Sequence, residues 1–252
     1  MKDNFSSQSD KYARFRPTYP EALFDYLLTL VPGRSAAWDC GTGNGQVACQ
    51  LAAHFDNVFA TDISRQQLDN AVTLPNIQYS LQPAEKTYFP DNAFDLITVA
   101  QAIHWFDFDA FYREAGRTLK DHGILAVVGY GRLEITPAVD AVILDFYRDI
   151  IGPYWDKERK YVDENYRTIP FPFVDIAAPG GAPFDAPGFS IHFEWTFSHL
   201  IGYLETWSAV KHYEKQNGQN PVALIQQSLR TAWGDIDTRP GYFPVLLRIA
   251  RI

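Results

Sequence analysis

The run Asp39-Cys40-Gly41-Thr42-Gly43-Asn44-Gly45 stands between a short apolar stretch, Ala36 to Asp39, and an amphipathic segment whose apolar face is Val47, Leu51 and Phe55. Glycines spaced through a strand-to-helix turn let the backbone come close to a ligand without side-chain clash. Turns of this kind belong to parallel α/β sheets, where ligands sit outside the carboxyl ends of the strands. The chain around it agrees, because short apolar runs alternate with amphipathic stretches of about ten residues, as strands and helices do in a parallel sheet. Strands are predicted at Ala36 to Asp39, Val58 to Asp62, Ile77 to Leu81, Leu96 to Ala100 and Ile124 to Val128.

Helix signals fill the intervals. Phe5 to Tyr19 reads as an arm; Pro20 then suits the first position of a helix carrying Leu23, Leu27 and Leu30 until Pro32-Gly33 stops it. Ser64 and Gln67 fit a capping box for a helix through Leu68 and Ala71. Asp107 can cap another with Phe111, Ala115 and Leu119 below it. Beyond Gly131 the pattern loosens. Val139, Val142, Ile143, Phe146 and Ile150 outline a helix, and Ile169 to Phe173 with the Pro/Gly cluster Ala178 to Gly188 reads as a loop-rich wrap. Phe189, Ile191, Phe193, Trp195 and Phe197 alternate with polar residues, as in a strand with one buried face. Two helices are predicted next, one through Leu200, Leu204 and Trp207, the other opened by Asn220-Pro221, before a last strand from Val245 to Ala250.

Composition narrows the function. With 252 residues, 46% hydrophobic and 21% charged, the chain can fill one sizeable core and is neither disordered nor collagen-like. The expected layout is a single domain: arm and first helix 1–33, ligand-binding core 34–130, wrap 131–188 and C-terminal strands 189–252. A net charge of −8 opposes phosphate backbones and anionic membranes, so neither nucleic acid nor a membrane is an expected partner. No apolar run reaches the ~18 residues of a membrane span, and Met1-Lys2-Asp3-Asn4 lacks the apolar core of a signal peptide, so a cytoplasmic location is expected. Cys40 and Cys49 fit neither a disulfide framework nor a zinc site and read as reduced packing residues; no metal is expected. Oligomeric state is not encoded in any spacing.

Asp39 decides the ligand chemistry. A carboxylate just ahead of the glycine turn repels a pyrophosphate and favours an ammonium or sulfonium group. The dinucleotide fingerprint also needs glycine where Gln46 stands. Asp62 ends the second strand 21 residues after Gly41, where a carboxylate can accept from both hydroxyls of an adenosine ribose. S-adenosylmethionine combines both cations with that ribose. For Asp39 the bland alternative is a turn-capping role. Ala84-Glu85 follows the third strand, Phe94-Asp95 leads into the fourth, and Gln101-Ala102-Ile103-His104-Trp105-Phe106 lies at its end, so these positions are expected on one cleft.

The run DCGTGNG resembles the first motif of the class I S-adenosylmethionine-dependent methyltransferases of small molecules, and Asp62 matches their second-strand acid. Ala84-Glu85 is similar to the place where that family holds the adenine ring. A nearer resemblance, to the trans-aconitate methyltransferase-like (methyltransferase type 11) group, runs through Tyr12 to Pro20, Gln101 to Phe106, Pro170 to Phe173 and Gly202 to Ser208. It implies a Rossmann-like, doubly wound sheet of seven strands, mostly parallel with an antiparallel last strand and helices on both faces. It also implies an N-terminal arm over the cofactor, and helices within 199–233 inserted before the last strand as a cap over the substrate.

Site expectations follow. The cofactor S-adenosyl-L-methionine, with product S-adenosyl-L-homocysteine, would be held by Tyr12, Arg16, Asp39, Gly41, Thr42, Gly43, Asp62, Ile63, Ala84, Glu85 and Gln101, with Arg16 on its carboxylate or, alternatively, on that of an acidic substrate. A small-molecule substrate would meet Tyr19, His104, Trp105 and Trp207. His104 could act as general base for a hydroxyl or amine, or simply pack; a carboxylate acceptor is already ionised and needs no base. The activity expected is O-methylation by in-line transfer, with a carboxylate among the acceptors and with carbon or nitrogen as alternative acceptor atoms. An NAD(P)-dependent oxidoreductase is the alternative, sharing the turn and the spacing, but this sequence has Gln46 and no Tyr-x-x-x-Lys pair; a catalytically silent cofactor-binding protein is the third reading.

Overall fold

The computed structural model describes residues 15–176 and 188–252. Its strands are β1 (Ala36–Cys40), β2 (Asn57–Asp62), β3 (Ile77–Leu81), β4 (Phe94–Ala100), β5 (Leu119–Tyr130), β6 (Ser190–Thr196) and β7 (Thr238–Arg251). They form one seven-stranded sheet in the order β3-β2-β1-β4-β5-β7-β6. Strands β1 to β5 pair in parallel, and β7 runs antiparallel to both of its neighbours, β5 and β6. This is the Rossmann-like sheet that the resemblance implies.

Strand order reverses between β1 and β4, and such a switch point opens a crevice at the carboxyl ends of the two strands. Both strands are central and apolar because both faces are covered: Ala37, Trp38, Leu96, Ile97 and Val99 are fully buried. Strand β7 is longer than the predicted Val245 to Ala250. Its second half pairs with β5 from Ile124↔Arg251 to Tyr130↔Val245, and its first half with β6 from Ser190↔Pro244 to Thr196↔Thr238.

The helices are α1 (Glu21–Leu30), α2 (Gln46–Ala52), α3 (Arg65–Asp69), α4 (Phe108–Thr118), α5 (Pro137–Asp145), α6 (Arg159–Asp163), α7 (Phe197–Glu205), α8 (Ser208–Asn217) and α9 (Val222–Trp233). Ser64 caps α3, accepting from the Gln67 N–H at 3.3 Å, and Asp107 caps α4, accepting from the Ala110 N–H at 3.0 Å. Several ends differ from expectation. Pro20 is the cap of α1 rather than its first residue, Phe55 and Ala71 lie beyond α2 and α3, and Leu119 opens β5. Phe197 begins α7 instead of continuing β6, because Thr196 accepts from the His199 N–H at 3.1 Å and caps the helix there. Three helices stand where two were predicted, since extended backbone at Trp207 separates α7 from α8.

The wrap is fastened at its end. Phe171 and Phe173 meet the ring of Tyr112 on α4 edge-on, and the Tyr112 hydroxyl donates to the Pro170 carbonyl at 2.6 Å. Arg248 of β7 lies 4.3 Å over Phe171 and pairs with Asp175. No helix among the described residues is long and apolar enough to cross a membrane. Tyr12 and most of the Ala178 to Gly188 cluster lie outside the described residues.

Candidate active site

The glycine turn leaves the sheet at the switch point, with the N–H groups of Gly41 and Thr42 both donating to the Thr61 carbonyl at 2.9 Å. A side chain at Gly45 (φ +83°) would run into the Tyr79 hydroxyl, so packing demands glycine there. A Cβ at Gly43 (φ +57°) would meet nothing within 4 Å, which leaves bare backbone facing open space.

Asp39 is almost wholly buried. Its Oδ1 accepts from the Thr98 hydroxyl at 2.8 Å and its Oδ2 from the Thr42 hydroxyl at 2.5 Å. Burial pushes its carboxyl up to about 6, against the pull of those two hydroxyls. The turn-capping role and a charge beside the cleft therefore coexist in one residue. Asp62 accepts from the Gly43 N–H at 2.9 Å and from the Ser64 N–H at 2.8 Å, fastening the turn to the end of β2.

Gln101, at the end of β4, takes the left-handed conformation (φ +54°), a cost of roughly 1–3 kcal/mol for a residue with a side chain. Its N–H donates to the Val128 carbonyl at 2.9 Å and its Nε2 to the Tyr130 carbonyl at 3.0 Å, which hold it in place.

These residues line a cleft with two lobes. The first, enclosing about 900 Å³ including its open mouth, is lined by the predicted Arg16, Tyr19, Asp39, Gly41, Thr42, Gly43, Asp62, Ile63, Gln101 and Trp105. Asn44, Gln67 and Tyr130 are among its walls and were not predicted; Tyr130 receives an Arg16 hydrogen bond at 2.7 Å. The second lobe, about 450 Å³, is lined by Arg16, Gln101, His104, Trp105, Trp155, Asp156, Arg159, Trp207 and Ser208. The lobes share Arg16, Gln101 and Trp105. Trp155, Asp156 and Arg159 carried no sequence signal of their own, whereas Ser208 ends the Gly202 to Ser208 run of the resemblance.

Three predicted groups have surroundings of their own. Ala84 and Glu85 line neither lobe: Ala84 is buried in the core with Trp38, and Glu85 accepts from the Asp107 N–H at 3.1 Å, tying its loop to the start of α4. Asp95 sits at the opposite end of the sheet, accepting from the N–H groups of Ser35 and Ala36 and from Lys120, each at 3.0 Å. His104 is buried with Nδ1 3.2 Å from the Tyr166 hydroxyl. Burial, helped by the Arg159 charge, lowers its imidazole to about 3, so it stays neutral and is a poor general base.

A family model described as a methyltransferase domain matches residues 38–127. A Dictyostelium discoideum protein named as a methyltransferase is 34% identical over 257 residues, covering 99% of this chain and 95% of its own length. An uncharacterized methyltransferase of Mycobacterium tuberculosis is 32% identical over 177 residues, 70% of this chain and 68% of its own. Among solved structures, a protein of Anaeromyxobacter dehalogenans described as a type II methyltransferase is 38% identical and superposes with a TM-score of 0.83, covering 94% of this chain and 98% of that one.

Proposed function

This chain belongs to the class I S-adenosylmethionine-dependent methyltransferases, and from that premise we propose that it methylates an oxygen of a small molecule, a carboxylate oxygen being the acceptor. The observation that carries this reading is the junction of the two lobes, where Arg16, Gln101 and Trp105 line both. A methyl donor in one lobe and an acceptor in the other would face each other across it, and holding reactants in line is the main thing a protein can supply to a displacement of this kind.

The first lobe fits the cofactor. Asp39 offers negative charge to an ammonium or sulfonium, Asp62 at the end of β2 can accept from ribose hydroxyls, and the bare backbone at Gly43 leaves room for close approach. Arg16 is assigned to the cofactor's carboxylate. When bound, S-adenosylmethionine supplies an electrophilic methyl group. Tyr19 and Trp105 line the same lobe and can attract a cationic donor by about 0.5–2 kcal/mol. A carboxylate acceptor is ionised at neutral pH and needs no proton removed, which agrees with the weak basicity of His104.

Calorimetry with S-adenosylhomocysteine tests the assignment. Micromolar binding is expected, weakened in Asp62→Ala by ~1–3 kcal/mol through loss of the half-buried acceptor for the ribose hydroxyls. Unchanged affinity in that variant overturns the role of Asp62. Thermal stabilisation by NADH and not by S-adenosylhomocysteine points instead to an oxidoreductase. Cofactor binding without turnover on carboxylic acids, phenols and amines points to a silent binding protein.

A further inference from the structure

Arg159 opens α6 and reaches the second lobe from an aromatic frame. Its guanidinium lies 4.6 Å over the Trp155 ring and 5.4 Å over the Tyr147 ring. Its Nε donates to the Tyr147 hydroxyl at 2.8 Å, and that hydroxyl donates to Asp163 Oδ1 at 2.5 Å. Asp163 also stands 3.4 Å from the same Nε. All of these hydrogen-bond and ion-pair partners are on the Nε side. The two terminal amino groups of Arg159 make no hydrogen bond among the described residues.

A guanidinium fixed in this way presents a planar fork to the lobe, and that fork matches a carboxylate through two parallel N–H···O bonds. Stacking on two rings removes most of its rotational freedom beforehand, so little ordering is left for a ligand to impose. Asp156 also lines the lobe and lies 3.9 Å from His212, while Arg16 adds a second positive charge. The indoles of Trp105, Trp155 and Trp207 wall the remaining space.

We propose that Arg159 selects the substrate, gripping the carboxylate of a flat aromatic acid whose body lies against these indoles. The inference deepens the methyltransferase reading and rests on it only in calling the occupant a substrate.

Calorimetry on the protein saturated with S-adenosylhomocysteine, titrated with benzoate and with benzamide, tests it. The two probes share a ring and differ in charge. Benzoate is expected to bind about tenfold more tightly or better, and Arg159→Gln to abolish the difference. Arg159→Lys keeps the charge without the fork and retains part of the preference. In Arg159→Gln the affinity for S-adenosylhomocysteine stays within about twofold, which also shows that the variant folds. Equal affinities, no benzoate binding at millimolar concentration, or a preference that survives Arg159→Gln overturns the proposal. So does a large loss of S-adenosylhomocysteine affinity in that variant, which would move Arg159 to the cofactor. If Arg159→Gln does not fold, the benzoate and benzamide comparison on the wild type and Arg159→Lys decides. Failure of the wild type to bind S-adenosylhomocysteine at all contradicts the methyltransferase reading instead.

Discussion

Under the proposed reading, burial makes Asp39 a pH-dependent cofactor contact. Its carboxyl is raised from the ordinary 3.8 to about 6 by burial, so a proton competes with a cationic ligand in mildly acid solution. A bound cation favours the carboxylate, so binding lowers this pKa and releases a proton. Affinity for S-adenosylhomocysteine should fall as pH drops from 7 through 6 to 5, with release of about half a proton near pH 6, read by calorimetry in buffers of different ionisation heat. Flat affinity and no proton release would remove Asp39 from the contact. For stability alone the sign is opposite. The charged form is the costly one, so Asp39 favours the fold below its ordinary value and that contribution is lost as pH rises through about 6. His104 gives a second residue-scale expectation: lowered to about 3 by burial and by the Arg159 charge, it does not change protonation near neutral pH. His104→Gln should leave the pH profile of turnover on a carboxylic acid without any lost limb near the ordinary imidazole value, and a limb that vanishes in the variant would restore the base role. Asp39 and Asp62 were legible in the sequence because each neighbours its glycine turn or ends its strand. The Thr98 hydroxyl that fixes Asp39 was not, since it comes from β4, 59 residues away.

At the scale of elements, the same acid type does different work at the two ends of the sheet. Asp95 joins the starts of β1, β4 and β5, through Ser35, Ala36 and Lys120. Burial would raise its carboxyl, but the hydrogen bonds from Ser35, Ala36 and Lys120 win and hold it below the ordinary carboxylate range. Its stabilisation is therefore present above that range and is lost as pH falls through it. Asp95→Ala should destabilise the protein by roughly 2–4 kcal/mol in denaturant unfolding while leaving S-adenosylhomocysteine affinity nearly unchanged. A matching loss of affinity would place Asp95 in the cleft after all. Element types were readable from hydrophobic period, whereas ends were set by contacts that period does not encode. The extended backbone at Trp207 ends one helix and starts another, with the indole packed on Phe146, Tyr147, Trp155 and Tyr203.

Across the whole molecule, the two lobes differ in how much of them the sequence discloses. Most of the first lobe comes from the turn after β1, the end of β2 and the end of β4, local motifs whose chemistry can be read in order along the chain. The second lobe gathers Arg16 from the arm, His104 from the end of β4, Arg159 from the wrap and Trp207 from the helices before β7. Only the folded wrap and the inserted helices bring these together, and no spacing predicts it. Arg159 stands within the charged run Asp156-Lys157-Glu158-Arg159-Lys160, which reads in sequence as a solvated surface. We propose that the helices within 199–233 act as the cap of this lobe, since Trp207 and Ser208 form part of its wall. The most direct measurement of the central claim supplies methyl-labelled S-adenosylmethionine with a set of small carboxylic acids and then treats the products with mild base. Transfer to a carboxylate oxygen predicts label released as methanol from a methyl ester. Label retained in base-stable products would contradict it, as would an absence of transfer by protein that binds the cofactor.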